Sequence, residues 1–173
     1  MDGLTLEKVV KKDRHASGMF QGVHASDTLP IRLRRKPALF IVNTDPISKP
    51  GSHWLAISID SHGNGEFFDS YGLPPYVASI RTFLDRHCTK WRSNPIDLQA
   101  LNSTVCGQYC VMFLLYKAHG YTMNEFVKDN FSKKCNENDI LVNKMFRRYA
   151  RNVNLCDDKN VKKKVQSCFG RKK

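Results

Sequence analysis

The sequence predicts a mixed fold of strands and helices, and three segments predict it. Ala38-Leu39-Phe40-Ile41-Val42 is a short apolar run with β-branched residues, as in a buried strand. His53 to Asp60 and Glu66 to Ser70 flank the turn Ser61-His62-Gly63-Asn64-Gly65, as in an antiparallel hairpin. A polar stretch from Gln99 runs into Cys106-Gly107-Gln108-Tyr109-Cys110 and then into Val111 to Ala118, the most apolar segment, expected to be a helix through the core.

The remaining elements follow in chain order. Residues 4–12 place Leu4, Leu6, Val9 and Val10 among Lys and Glu, as in a short amphipathic helix. Gly18 to Pro30 is turn-rich, and the run 38–42 stops at the turn Asn43-Thr44-Asp45-Pro46. Along 53–60, Trp54, Ala56, Ser58 and Asp60 alternate with Leu55, Ile57 and Ile59. Pro74 and Pro75 are expected to open a helix to about Cys88, with Val77, Ile80, Phe83 and Leu84 on one face. Ile96 to Gln99 reads as a short strand, and Gly120 ends the helix after Cys106. Thr122 caps a helix from Met123 to about Lys128, and Asn138 or Asp139 caps another from Ile140 to about Asn152. There is no internal repeat. One domain over 1–158 and a basic C-terminal tail over 159–173 are expected.

The 173 residues suit one compact domain. Lys and Arg number 28 against 16 Asp and Glu, a net charge of +12. Seven basic side chains and no acid fall within 159–173, and Arg32, Arg34, Arg35 and Lys36 form a second cluster. This surplus points to a polyanion partner, DNA above all, bound through a salt-sensitive and sequence-blind attraction. No run approaches the roughly 18 apolar residues of a membrane span, and the N-terminus lacks a signal-peptide pattern, so an intracellular monomer with no membrane partner is expected. Six cysteines, at 88, 106, 110, 135, 156 and 168, include no Cys-x-x-Cys pair and no zinc spacing. Reduced thiols and no metal or small-molecule cofactor are expected.

Four residues suggest thiol chemistry. Cys106 falls at a helix start, where unpaired N–H groups and the positive dipole end favour a thiolate. His53, in Gly51-Ser52-His53-Trp54, is a candidate base, and Asp69, in Phe68-Asp69-Ser70-Tyr71-Gly72, is a candidate to orient it. Both fall at one end of the expected hairpin. The Gln99 amide is a candidate oxyanion donor, together with the backbone N–H of Cys106 or Gly107. Gly107 lets a substrate carbonyl approach the helix start, and Trp54 is a candidate groove wall. Each residue also has an ordinary reading: a buried structural thiol, a surface histidine, a turn-capping aspartate, a solvent-facing glutamine, a core tryptophan. Cys110, one turn beyond Cys106, reads as core.

In these motifs the chain resembles the adenovirus protease (adenain) family and its relatives in Maverick/Polinton elements and other DNA viruses. The resemblance covers roughly residues 20–150. Its carriers are Ile41-Val42-Asn43-Thr44, Gly51-x-His53-Trp54, Phe68-Asp69-Ser70-Tyr71-Gly72, and Gln99 seven residues before Asn102-Ser103-x-x-Cys106-Gly107. It departs in using Asp69 where adenoviruses use Glu. The resemblance implies an α+β, papain-like cysteine protease fold with circularly permuted catalytic order and a central, mostly antiparallel sheet packed on helices. It implies Cys106 as nucleophile, His53 as base and then acid, Asp69 as orienter and Gln99 as oxyanion donor. It implies an endopeptidase that cuts viral capsid and core precursors after glycine, in Gly-Gly or Gly-x-Gly sites, in the host nucleus and the virion. An activating peptide and DNA are its implied cofactors. Cys88, eleven residues before Gln99, has the spacing of the family cysteine that pairs with that peptide. The chain's own Lys162-Lys163-Lys164-Val165-Gln166-Ser167-Cys168-Phe169 shares that peptide's basic residues and Cys-Phe, so Cys168 is an alternative partner for Cys88.

Two other functions fit the sequence. One is a protease that removes ubiquitin or a related modifier with the same catalytic residues. The other is a non-enzymatic, basic nucleic-acid-binding protein, which accounts for the charge and leaves His53, Asp69, Gln99 and Cys106 without a role.

Overall fold

A computed structural model describes residues 1–152. The basic tail, with Cys168 and Phe169, lies outside the described residues, as does Cys156. Five strands form one sheet in sequence order: β1 (Phe20–His24), β2 (Ala38–Asn43), β3 (Trp54–Ile59), β4 (Asn64–Phe68) and β5 (Lys90–Ser93). The two central pairings, β2–β3 and β3–β4, are antiparallel, and the edge pairings β1–β2 and β4–β5 are parallel. Helices α1 (Gly3–Lys12), α2 (Arg14–Met19), α4 (Cys106–Ala118), α5 (Met123–Asn130) and α6 (Cys135–Asn152) lie with the sheet face of Leu39, Ile41, Ala56 and Phe68. Helix α3 (Ala78–His87) covers the opposite face, against Phe40, Val42, Leu55, Ile57 and Phe67.

Helix α4 is the spine of the first layer. Nearly its whole circumference is buried, from Tyr109 to Tyr116, and Phe113 stacks on Phe68 of β4 with ring centres 4.7 Å apart. Each fully buried large apolar side chain contributes about 1.5–3 kcal/mol. That outweighs the fraction of a kcal/mol by which residues such as Val111 disfavour a helix. The alternation along β3 has a matching cause. Its small residues, Ala56 and Ser58, face α4 and admit its bulk, while Leu55, Ile57 and Ile59 fill the α3 side, so both faces of the strand are buried. Among the described residues no helix is long and apolar enough to cross a membrane.

Several boundaries differ from the sequence expectation, each for a local reason. The turn-rich stretch from Gly18 holds β1, whose register on β2 slips between Phe20 and Val23 around Gly22, at φ +123°. Helix α3 begins at Ala78, behind an extended Val77, rather than at Pro74. Consecutive prolines push the residues before them out of helical geometry. Ile96 to Gln99 is not a strand, although Leu98 N and Gln99 N both donate to Ser70 O. The strand lies earlier, in the polar edge Lys90-Trp91-Arg92-Ser93. Helix α6 starts at Cys135, and Asn138 is not its cap. The Asn138 side chain accepts from Ser132 N (3.0 Å) and donates to Ser132 O (2.8 Å) and Leu98 O (3.2 Å). The Thr122 cap holds, reinforced by Glu125 as a reciprocal capping box.

Asp13 ties the helical layer together. Its Oδ1 accepts from His15 N and Ala16 N at the start of α2, and its Oδ2 meets His119 Nε2 (2.8 Å) and Tyr149 OH (2.7 Å). Burial works to raise its pKa, but His119, Ala16 N–H and Tyr149 hold it down at about 2. A carboxylate so depressed adds stability above its unfolded value near 4, and loses it as pH falls through the folded value. Asp13→Ala removes the cap and the carboxylate that bonds the buried His119 and Tyr149, so it should cost about 2–4 kcal/mol in urea unfolding at neutral pH. Asp13→Asn, which keeps a capping oxygen, should cost less, and the wild-type advantage over it should fade as pH approaches 2.

Candidate active site

The end of β2 builds the approach to His53. Thr44 N donates to His53 O (3.0 Å), and Thr44 Oγ1 lies 3.2 Å from Ser52 Oγ. Asn43 Oδ1 accepts from Asp45 N. Gly51 sits at φ +87°, and a Cβ there would come within 2.7 Å of Asn43 Nδ2. The Asn43-Thr44 and Gly51-Ser52 pairs thus form one clamp that delivers His53 to the residue just before β3.

The other strand of the hairpin supplies the carboxylate, at the same end. Asp69 follows β4 and is fully buried. His53 Nε2 lies 2.7 Å from Asp69 Oδ1, which also accepts from Tyr71 N (2.9 Å). Asn94 clasps the Asp69 backbone from both sides: its Oδ1 accepts from Asp69 N (2.9 Å) and its Nδ2 donates to Asp69 O (2.7 Å). The chain then turns through Gly72, at φ +68°, whose N–H donates to Asp69 O. A Cβ on Gly72 would meet the Ile96 carbonyl carbon at 2.6 Å, so only glycine fits there.

Helix α4 presents the thiol. Its N-cap, Val105, offers no side-chain hydrogen bond and its first turn carries no acid, so its positive end stays uncompensated at Cys106. Burial alone raises the Cys106 pKa, yet the net shift is downward, through a hydrogen bond with His53 and the backbone N–H groups of Trp54 and Gly107. Burial likewise lowers the His53 pKa, and the bonds to Asp69 and Cys106 with their charges reverse this, to about 9. With Nε2 on Asp69, Nδ1 is the nitrogen left for the thiol. The two shifts favour an imidazolium–thiolate pair at neutral pH.

The structure therefore brings together His53, Asp69 and Cys106. Gln99 joins them at one remove. It is buried, its Oε1 accepts from Ser70 Oγ (2.7 Å), and its Nε2 donates to Ser103 O (2.9 Å) and to Tyr71 OH (3.2 Å). Trp54 lies beside the site, but Trp54 Nε1 donates to Met1 O (3.1 Å) and its ring abuts Gly3. A Cβ on Gly107 would meet Leu6 Cδ2 at 3.0 Å and Trp54 Cδ1 at 3.5 Å, so that glycine also accommodates α1. Cys110 is a fully buried thiol with its pKa pushed well up, as a core residue should be. Cys88 lies on the other side of the sheet, against Gly65, and burial pushes its thiol up to about 11. Among the described residues Cys88 is a free thiol, and no cluster of His, Cys, Asp and Glu suits a metal.

Tyr71 and Asn94 have no role in the sequence reading. Tyr71 sits inside the acidic motif, but only its contacts across the fold reveal it. Asn94 follows a strand that the apolar pattern does not show.

No family model and no curated protein matches the chain. Solved structures do. The ASFV pS273R protease is similar at a TM-score of 0.59 and 16% identity, over 86% of this chain and 65% of that one. Its selenomethionine form aligns at 0.46 and 23% identity, over 65% and 43%. The central domain of the uncharacterized Lpg1148 protein from Legionella pneumophila aligns at 0.48 and 13%, over 88% and 98%. The chain thus spans 43% and 65% of the two ASFV protease chains. The 0.59 likeness shows the fold: an α+β fold shared with that protease, with a five-stranded sheet packed against helices.

The site's electrostatics can be checked without a substrate. Iodoacetamide should alkylate Cys106 at pH 6 far faster than an ordinary thiol, which is protonated there. His53→Ala leaves burial opposed only by backbone N–H groups, and should slow that alkylation by about tenfold or more. Equal rates in the two proteins would remove the ion pair.

Proposed function

We propose that the chain is a cysteine endopeptidase of the adenovirus-protease type, acting on precursor proteins of a DNA virus after glycine. One observation carries this reading. A histidine bonds a fully buried carboxylate through Nε2 and lies beside a thiol at an uncapped helix start, whose ionisation it favours. The similarity in fold to a viral protease supports it. A purely nucleic-acid-binding protein needs none of this geometry. The net charge of +12 makes DNA a partner of the same enzyme rather than its whole function. An activating peptide remains part of the proposal through Cys88 and the sequence ending in Cys168-Phe169.

The chemistry follows from the pair. The Cys106 thiolate attacks the scissile carbonyl carbon, and the π electrons move onto oxygen. The oxyanion collapses, the C–N bond breaks, and the His53 imidazolium gives its proton to the departing amine. A thioester remains. Neutral His53 then takes a proton from water, the hydroxide equivalent attacks, and the carboxylate product leaves as Cys106 returns to thiolate. Asp69 keeps the imidazole oriented and stabilises its positive charge.

Cys106→Ala should abolish cleavage of a Gly-x-Gly peptide while the unfolding midpoint stays near wild type, and substantial residual cleavage would sink the proposal. A ubiquitin-type fluorogenic substrate run in parallel separates precursor processing from modifier removal. Hydrolysis should also fall above about pH 9. There His53 loses the proton that the leaving amine needs, while alkylation of Cys106 continues because the thiolate persists. A hydrolysis rate still rising at pH 10 would contradict this assignment of His53.

A further inference from the structure

Five of the nine large apolar side chains that the described residues expose gather on one flank of the site. Leu73 and Tyr76 follow the turn from Asp69 to Gly72, Ile96 and Leu101 bracket Gln99, and Ile140 follows Asp139. Contacts join these segments. A Cβ on Gly72 would meet the Ile96 carbonyl carbon at 2.6 Å, Gln99 Nε2 donates to Tyr71 OH (3.2 Å), and Asp139 Oδ2 accepts from Ala100 N (3.2 Å). Neither loop is loose. Pro74 and Pro75 fix the backbone beside Leu73. Ser103 N donates to Ala100 O (3.0 Å) across the turn that carries Leu101, which is 88% exposed. Single exposed apolar residues are ordinary, whereas a cluster held rigidly beside a catalytic centre marks a contact made at little cost in ordering.

Charge singles out the same flank. The chain holds 28 Lys and Arg, yet none lies within 50–80 or 93–116, the two stretches that carry His53, Asp69, Gln99 and Cys106. The chemistry decides which half of a substrate passes here. The departing amine takes the His53 proton, so the chain beyond the scissile bond leaves past the imidazole. Tyr71 leans on that ring with centres 4.9 Å apart, and Leu73 lies two residues on, about 7 Å of backbone at most. Trp54, the other residue beside His53, packs against α1 instead, with Nε1 on Met1 O and its ring against Gly3. We propose that Leu73, Ile96 and Leu101 form a subsite for an apolar side chain two to four residues beyond the scissile bond of a polypeptide substrate. An extended chain advances about 3.3 Å per residue, which puts those positions roughly 7–13 Å from the reacting carbon. The subsite rests on the cysteine endopeptidase reading and adds selectivity on the leaving half to it.

The probes are peptides with one acyl half, ending in Gly-Ala-Gly, and a leaving half of serines. Leucine replaces the second, third or fourth serine in turn. The methyl ester of the same acyl half is the control, because its leaving group ends at the scissile bond. We expect leucine at one of these positions to raise kcat/KM about tenfold or more over serine. The double variant Leu73→Ser, Leu101→Ser should lose that preference and hydrolyse the ester at the wild-type rate, since both side chains are exposed and neither touches the catalytic residues. Equal rates for leucine and serine at all three positions, with the ester still cleaved, overturn the subsite and leave the hydrolase reading intact. If the same two substitutions then turn a wild-type dimer into a monomer, a second copy covers these residues. A leucine preference that survives in the variant also overturns the subsite, because other residues then read the leaving half. So does a parallel loss on the ester, which makes the two side chains supports of the catalytic centre. A wild-type chain that cleaves neither the peptides nor the ester removes the hydrolase reading, and the subsite with it.

Discussion

The carboxylate of Asp69 is buried without solvent, and the arrangement of the site answers to that fact. A buried charge is tolerated only when hydrogen-bonded and paired. Here one oxygen receives both His53 Nε2 and Tyr71 N–H, and the backbone around it is fixed by Asn94. The tight turn through Gly72 lets the 94–97 segment approach closely enough for that clasp. The same turn sends Ser70 toward Gln99 and Tyr71 toward His53. A single four-residue turn therefore places the imidazole, the carboxylate and the glutamine relative to one another.

Magnitudes decide what makes the thiol reactive. A helix start contributes typically 0.3–1 kcal/mol to a nearby anion, and about 2 kcal/mol in favourable buried cases. One pKa unit corresponds to about 1.4 kcal/mol, so the dipole moves a thiol by roughly one unit. Burial of Cys106 acts in the opposite direction and is the largest single influence on it. The helix start alone therefore cannot hold a thiolate. The bond to His53 does so, which in turn depends on Asp69 keeping the imidazole protonated. Reactivity at α4 is exported from the hairpin.

Much of this site was legible in the sequence because its parts lie at chain landmarks. His53 and Asp69 bracket a hairpin whose turn announces itself in Ser61-His62-Gly63, although β4 starts at Asn64, earlier than the expected Glu66, and Cys106 stands where polar chain becomes apolar helix. Strand β3 and helix α4 have periods set by packing on both faces, and their limits came within a residue or so. What stayed hidden has no periodic signal. Strand β5 is a polar edge, so its alternation of Lys and Arg with Trp and Ser resembles a loop. Strand β1 is short, slipped and interrupted by Gly22. Asn94 clasps Asp69 across 25 residues and the Tyr71 hydroxyl meets Gln99 across 28, which no local pattern encodes.

Helix α6 belongs to the site despite its distance along the chain. Its Asp139 accepts from Ala100 N through Oδ2 (3.2 Å), and its Oδ1 meets the Tyr109 hydroxyl, which also lies 3.1 Å from Leu98 O. Asn138 of the same helix donates to Leu98 O. The 98–100 segment that carries Gln99 is thus pinned on one side to Ser70, through Leu98 N and Gln99 N, and on the other to α6. Tyr109 belongs to α4, three residues beyond Cys106, so the nucleophile's helix and the glutamine's loop share the Asp139 anchor. The gap between donor and nucleophile is then set by helix packing rather than by the intervening loop. Leu101 in that loop is exposed and makes no such tie, which leaves its sequence free to vary while the geometry at Gln99 and Cys106 is kept.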